Sequence, residues 1–183
     1  NGCDVSVVIF EKLKELNDYT DGYNFATAVS KYWEGYDTGN DVLKENALKW
    51  LRGEYTSKIE TMRDLSIREY INDAAFYNSL KLYSILVRKA GYKGLLINLD
   101  EMVNLYKIPT SVSRKSNYEI ILNILNDTLQ GNLSGIGFVM GGTPDFLTDS
   151  YRGLYSYEAL RSRLSENSFS SVLGLIEIGR AHV

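Results

Sequence analysis

The stretch "GYKGLLINLDEM", Gly91 to Met102, decides how the second half of this 183-residue chain is expected to fold. The apolar run from Gly94 to Leu99 predicts a short strand, and two adjacent carboxylates, Asp100 and Glu101, follow it directly. Short continuous apolar runs are typical of buried strands in parallel sheets. Because burying charge is costly, an acid pair at such a strand end indicates a need for that charge, such as holding a metal ion or moving a proton.

A helix and a second strand are predicted after the acid pair. The residues from Ser116 to Glu119, "SNYE", form a capping box that predicts a helix over 117–130. The run "GIGFVM", Gly135 to Met140, predicts another apolar strand. The connection is long enough for a right-handed crossover, so we expect a βαβ unit with parallel, buried strands. The carboxyl ends of both strands then share the sheet edge where α/β proteins bind ligands.

An apolar strand followed by Asp-Glu is the Walker B pattern of P-loop ATPases. In this interpretation Asp100 holds Mg²⁺, usually through water, and so neutralises phosphate charge. Glu101 orients and deprotonates the attacking water. The pattern is short and common, and the structural alternative is a strand that ends in acids capping the next helix.

Four longer blocks carry a more specific signal. They lie between about Ala90 and Leu164, in the order "GYKGLLINLDEMVNLYKIP", "NYEIILNILNDTLQG", "GIGFVMGGTPDFL" and "RGLYSYEALRSRL". In this combination the chain resembles the P-loop ATP-binding proteins of the BREX phage-defence system, formerly catalogued as a domain of unknown function. The resemblance implies an α/β fold: a partial P-loop NTPase core, AAA+-like, with parallel strands preceded by a largely helical segment.

The resemblance also implies roles for single residues. Asp100 matches the Walker B magnesium acid and Glu101 the catalytic base. Thr143, after the second strand, matches the sensor 1 position, whose side chain hydrogen-bonds the γ-phosphate or the attacking water. A threonine before Pro144 is an equally good N-cap for the next helix, and one hydroxyl is not expected to serve easily in both roles.

Three arginines are further candidates for nucleotide contact. Arg161 and Arg163 lie on the helix expected after Ser156, and Arg152 lies in the preceding loop. Residues two positions apart do not share a helix face, so at most one of the helical pair is expected to reach a nucleotide. That residue would be a sensor or an arginine finger toward a neighbouring subunit. The alternative for each is a solvated side chain.

The phosphate-binding loop of such ATPases is missing from the sequence. No GxxxxGK[ST] motif occurs in the 183 residues, and in the family this loop lies upstream of the blocks seen here. We therefore expect a partial reading frame that is inactive alone, with a mainly helical segment over 1–90 and the Walker B to sensor part over 91–177. Residues 178–183 are expected to be a non-native tail, because the codons ATC GGA AGA GCA CAC GTC for them match a common sequencing adapter.

Composition limits the partners. The formal net charge of -3 gives no overall attraction to nucleic acid, although a basic loop with Lys107, Arg114 and Lys115 leaves DNA contact open. A solvated loop is the favoured interpretation. The lone Cys3 indicates a reducing compartment, and the apolar runs are too short to cross a bilayer, so we expect a cytoplasmic protein without membrane contact. The expected partners are ATP with Mg²⁺, and further copies or other defence-system subunits.

Two alternatives of other classes stay open. One is a catalytically silent helical interaction module on a degenerate NTPase scaffold, which an intact upstream phosphate loop would argue against. The other is a metal nuclease using Asp100 and Glu101. It has little support, because no third acid or lysine follows at a useful spacing.

Overall fold

The computed structural model describes residues 5–164. The chain divides into two compact units, Asn1–Leu95 and Leu96–Val183. The tail expected over 178–183 lies outside the described residues. Within them, every helix is too short or too polar to span a lipid bilayer.

The first unit is helical. Its elements are α1 (Val5–Lys14), a 3-10 turn (Glu15–Asp18), α2 (Gly22–Thr38), α3 (Asp41–Leu51), α4 (Lys58–Leu65) and α5 (Phe76–Lys89). Local capping explains several boundaries. The Asn40 side chain accepts a hydrogen bond from the Leu43 amide at 3.1 Å, and Ser57 accepts one from the Ile59 amide at 3.3 Å. Gly91 follows the end of α5 with a positive φ of 97°.

Aromatic side chains organise the core of the first unit. The ring of Phe25 lies edge-on to Tyr83, with centroids 4.9 Å apart, and to Trp50, with centroids 6.4 Å apart. The indole nitrogen of Trp50 donates to the Glu69 carbonyl oxygen at 2.8 Å, so its buried polar atom is satisfied. The other core residues include Leu16, Ala28, Ala47, Tyr55, Leu65, Ile67 and Leu82.

The second unit carries the sheet. Its elements are β1 (Leu95–Leu99, which begins at the unit boundary), α6 (Val103–Lys107), α7 (Ser111–Leu129), β2 (Ile136–Met140), α8 (Pro144–Thr148), a 3-10 turn (Leu154–Ser156) and α9 (Glu158–Leu164). β1 and β2 are parallel neighbours in a two-stranded sheet. The predicted strands and their pairing are therefore confirmed, each strand starting one residue later than expected.

The expectation that both strands are buried was wrong. Leu99 and Met140 pack against the core of the second unit, but Leu96 is 72% exposed and Val139 51% exposed. Among the described residues, no second layer covers the face that carries these two side chains. A continuous apolar sequence predicts that other elements pack on both faces of the sheet, whereas here they pack on one face only.

The helix between the strands also starts earlier than the capping box predicts. α7 begins at Ser111, so the residues from Ser116 to Glu119 lie inside it. Arg114 is 8% exposed, and its Nη1 donates to the carbonyl oxygens of Ile108 and Pro109 at 2.7 and 3.1 Å. These bonds tie the first turn of α7 to the preceding loop. The expected solvated basic loop is thus partly helix, with its central arginine buried.

Gly153 is the position in the second unit where a side chain would cost most. A Cβ there would lie 2.8 Å from the carbonyl oxygens of Asp145, Phe146 and Asp149, all of them backbone atoms. We expect Gly153→Ala to lower the free energy of unfolding by about 3 kcal/mol, since backbone cannot relax like a side chain. The slowest-exchanging amide hydrogens of α7 would report this loss.

Gly131→Ala is the matched control. Gly131 has a φ of 74°, but a Cβ there would meet nothing within 4 Å, so only the left-handed backbone is penalised. The expected loss is about 1 kcal/mol. Equal losses for the two variants would contradict the packing described around Gly153.

Candidate functional site

The acid pair lies at the carboxyl end of β1 and is exposed. The Oδ1 atom of Asp100 accepts a hydrogen bond from the Glu101 amide at 2.8 Å. Helix α6 follows with Met102 as its N-cap residue, and no side chain provides a capping hydrogen bond there. The acids are therefore not the cap of the next helix, which was the structural alternative for this motif.

Glu101 interrupts the regular ladder between the two strands. The Gly141 amide donates to the Leu99 carbonyl, and the Gly141 carbonyl accepts from the Met102 amide, both at 2.9 Å. A regular parallel ladder would use the amide one residue earlier, at Glu101. Glu101 is thus an extra residue in the strand, a bulge, and its φ of 53° is in the left-handed region, which is uncommon for a residue other than glycine.

The turn after the bulge is closed by Asn104. Its amide nitrogen Nδ2 donates to Oε2 of Glu101 at 3.2 Å, and its backbone amide donates to the Glu101 carbonyl at 2.9 Å. Both bonds join residues on the exposed edge of the sheet. Together they link the Glu101 carboxylate to the first turn of α6.

Two glycines follow β2, and other side chains approach both of them closely. A Cβ at Gly141 would lie 3.0 Å from Oδ1 of Asp100, and a Cβ at Gly142 would lie 2.8 Å from the Phe146 ring. The first contact is tighter than most real side-chain contacts, and the second is one that side chains essentially never make. The "GG" after β2 therefore leaves room for the Asp100 carboxylate on one side and for the first turn of α8 on the other.

Thr143 is the N-cap of α8. Its hydroxyl oxygen accepts a hydrogen bond from the Phe146 amide at 3.4 Å, with Pro144 in the first turn. The capping interpretation is confirmed. A hydroxyl that accepts in this way keeps its own hydrogen as a donor, so capping does not exclude a second hydrogen bond.

Arg152 packs within the second unit. Its Nη2 donates to the Ile108 carbonyl at 3.2 Å, and its guanidinium carbon lies 5.4 Å from the centre of the Tyr106 ring. The Nε atom is buried and has no hydrogen-bond partner among the described residues. The Arg152 carbonyl accepts from the Tyr118 hydroxyl at 2.5 Å. These contacts give Arg152 a role in holding the loop after α8 in place.

The two arginines of α9 differ in environment, as their spacing predicts. Arg163 donates through Nε to Oδ1 of Asn126 and through Nη1 to the Ala159 carbonyl, both at 2.7 Å. Arg163 therefore joins α9 to α7. Arg161 is exposed.

The sequence analysis missed a polar cluster centred on Asp149. Its carboxylate accepts from the Tyr106 hydroxyl at 2.8 Å and from the amides of Tyr151 and Arg152 at 2.7 and 3.1 Å. The Tyr151 amide first, then the Tyr106 hydroxyl and the Arg152 amide, hold the pKa of Asp149 below its usual value. The hydrogen bond to Asp149 likewise raises the pKa of Tyr106. An aspartate before a turn is a recognisable local signal, but its partner Tyr106 lies 43 positions away.

The donor set at the sheet edge suits a magnesium ion shared with phosphate. In the described residues no group of three or more His, Cys, Asp or Glu side chains could hold a metal ion. Two adjacent carboxylates alone do not form a metal cage. One or two carboxylates with waters and phosphate oxygens are, however, how Mg²⁺ is usually bound beside a nucleotide.

The two parallel strands and the helices between them are consistent with an α/β protein, and the residues after both strands lie at one edge of the sheet. The family described as "BREX system ATP-binding protein BrxC/D" matches residues 3–181, nearly the whole chain, and the chain belongs to this family. The family resemblance is thereby confirmed. No curated protein and no solved structure gave a significant match.

The Asp149 cluster makes stability depend on pH. A carboxylate whose pKa is lowered on folding adds stability above its unfolded pKa of about 3.9, and loses it as the pH falls through the folded value. We expect Asp149→Asn to be less stable than the parent at pH 7, because the amide nitrogen cannot accept hydrogen bonds. The difference should shrink as the pH falls below about 4. Amide hydrogen exchange at both pH values measures it.

Asp145→Asn is the control for that prediction. Asp145 is an exposed acid in the first turn of α8, and the control makes the same aspartate-to-asparagine substitution there. A gap between Asp149→Asn and the parent that stays constant from pH 7 to below pH 4 would contradict the described hydrogen bonds.

Proposed function

We propose that the chain is part of a P-loop ATPase of the AAA+ type, and that its acid pair is the Walker B motif. One observation carries the proposal: in a member of an ATP-binding family, Asp100 and Glu101 lie exposed at the carboxyl end of a parallel strand. The neighbouring strand ends in glycines that leave room beside Asp100. This is the sheet edge where α/β proteins bind nucleotides.

Asp100 is the proposed magnesium residue. Its Oδ1 atom accepts a hydrogen bond from the Glu101 amide, and within residues 5–164 its Oδ2 atom accepts none. A magnesium ion held there would offset the negative charge of the phosphates. Gly141 has no side chain and therefore leaves room beside this carboxylate.

Glu101 is the proposed general base. It stands outside the strand ladder, on an exposed turn held by backbone hydrogen bonds at both sides. The base accepts the proton that the attacking water loses when its oxygen bonds to the γ-phosphorus. Separate positions for the two acids, one at the ladder's end and one in the bulge, suit two separate roles.

Thr143 and Arg161 are the proposed residues for the remaining contacts. Thr143 can donate its hydroxyl hydrogen to the γ-phosphate or the attacking water while it caps α8. Of the three candidate arginines, Arg152 and Arg163 are half-buried. Arg161 is exposed on α9 and is the best placed for a nucleotide held by a neighbouring copy.

The remaining proposals come from the family. We place the phosphate-binding loop upstream of this chain in the full reading frame, and we assign the parent to bacterial phage defence in the cytoplasm. The chain alone is then expected to bind ATP weakly, since it lacks the backbone amides and lysine that cradle the phosphates. A titration of this chain that gives micromolar affinity for Mg-ATP would place the nucleotide elsewhere in it.

Glu101→Gln in the full reading frame separates binding from chemistry. The amide is nearly isosteric, so Mg-ATP should bind as in the parent. The variant cannot accept a proton, and hydrolysis should fall by roughly 10²–10⁴-fold. Equilibrium binding and steady-state phosphate release on one preparation measure both. The control is Glu119→Gln, an exposed acid on α7, which should leave both quantities unchanged.

Asp100→Asn should behave differently from its neighbour. Loss of the anionic oxygen weakens Mg²⁺ binding, so the magnesium-dependent part of ATP affinity and the hydrolysis rate should fall together. The measurement is ATP binding with and without Mg²⁺. If both acid variants hydrolyse ATP at the parent's rate, the pair is not a Walker B motif, and the silent interaction module becomes the better interpretation.

A further inference from the structure

The side chain of Asn104 has a specific relation to Glu101. Its Nδ2 atom donates to Oε2 of Glu101 at 3.2 Å, from the first turn of α6. No sequence motif draws attention to this residue, and the functional proposal above does not need it. It is nevertheless a side chain that contacts the carboxylate proposed to move the proton.

The backbone around Glu101 is fixed, although its conformation is unfavourable. The Glu101 amide donates to Oδ1 of Asp100, and its carbonyl accepts from the Asn104 amide. On the far side the Met102 amide donates to the Gly141 carbonyl at 2.9 Å. A left-handed glutamate is energetically unfavourable and persists where neighbouring hydrogen bonds determine its conformation, which is typical of functional sites.

A fixed backbone does not by itself fix a glutamate carboxylate. Beyond Cα the side chain has three rotatable bonds, and ordering such a chain costs conformational entropy. The carboxylate of Glu101 is exposed, so water competes for its position. A general base must lie within hydrogen-bond distance of the proton that it accepts, and so the carboxylate needs a fixed position.

We propose that Asn104 is a positioning residue for the Glu101 carboxylate. This inference rests on the proposed function. The Asn104 amide donates to Oε2 and restricts the side chain, which leaves Oε1 to accept the proton. In that step one O–H bond of water breaks, an Oε1–H bond forms, and the water oxygen bonds to the γ-phosphorus as the bond to the leaving phosphate breaks.

The test uses Asn104→Asp and Asn104→Ala in the full reading frame. Aspartate has the size of asparagine but no amide donor, and it places a second negative charge beside Glu101. Alanine removes the amide donor without adding a charge, so a loss of activity in both variants reports the missing hydrogen bond. For both variants we expect kcat to fall on the order of 10-fold, the lower end of effects seen for groups that orient an active residue. The KM for Mg-ATP should stay within about twofold, because Asn104 is not a phosphate ligand.

A double-mutant cycle removes the remaining ambiguity. Rates are divided by the number of Mg-ATP sites titrated in the same preparation, so that only active protein counts. In the Glu101→Gln background, neither Asn104→Ala nor Asn104→Asp should have a further effect on single-turnover hydrolysis, since the carboxylate that Asn104 positions is gone. The control is Asn123→Asp, an exposed asparagine on α7, which should match the parent throughout.

The outcomes separate this inference from the proposed function. Parental kcat in Asn104→Ala, or a further loss of the same size in the Glu101→Gln background, overturns the positioning role while the Walker B assignment stands. Parental hydrolysis by Glu101→Gln overturns the proposed function and the positioning role together. A lower kcat at unchanged KM, absent from the Glu101→Gln background, supports both.

Discussion

The parallel pairing at Gly141 is the interaction on which the candidate site depends. The amide of Gly141, just after β2, donates to the Leu99 carbonyl, and the Gly141 carbonyl accepts from the Met102 amide, both at 2.9 Å. These two bonds span Asp100 and the Glu101 bulge and join them to the strand that leads to Thr143. Without them the acids would lie on an unpaired loop between β1 and α6. The hydrogen bonds of Gly141 thus set how the two strand ends, and the candidate residues that follow them, lie beside each other.

Steric room explains why that pairing needs glycine. A side chain at 141 would meet the Asp100 carboxylate, and one at 142 would meet the Phe146 ring. The same local crowding recurs at Gly153, where three carbonyl oxygens converge. The close approach of another group to the glycine Cα, rather than a need for positive φ, is therefore what these positions share. The left-handed conformation falls instead on Glu101, where it costs more and where the proposed chemistry lies.

Local patterns predicted the parts of the fold that depend on local energetics. The two strands, their parallel order and the family followed from short apolar runs and motif blocks. The start of α7 did not, because a buried Arg114 bonded to the preceding loop extends the helix beyond its capping box. The Tyr106–Asp149 hydrogen bond joins residues 43 positions apart, and no periodicity encodes such a pair. Asn104 was missed for another reason. Its contact with Glu101 depends on the bulge there, and apolar patterning does not reveal a bulge.

The exposure of the acids changes the argument that first singled them out. They were expected at the end of a buried strand, where unpaired charge is costly, but both side chains are exposed and their solvation is largely retained. The pair alone is thus inexpensive and is no proof of function. Its significance comes from geometry, because two carboxylates share one edge with a glycine-lined strand end. In the proposed ATPase their charge becomes costly only when a nucleotide and its phosphates exclude water. At that moment Mg²⁺ offsets the repulsion, and every charge interaction strengthens as the local dielectric constant falls. An acid pair that is inexpensive in water and strongly interacting once covered is suited to act only when ATP is bound.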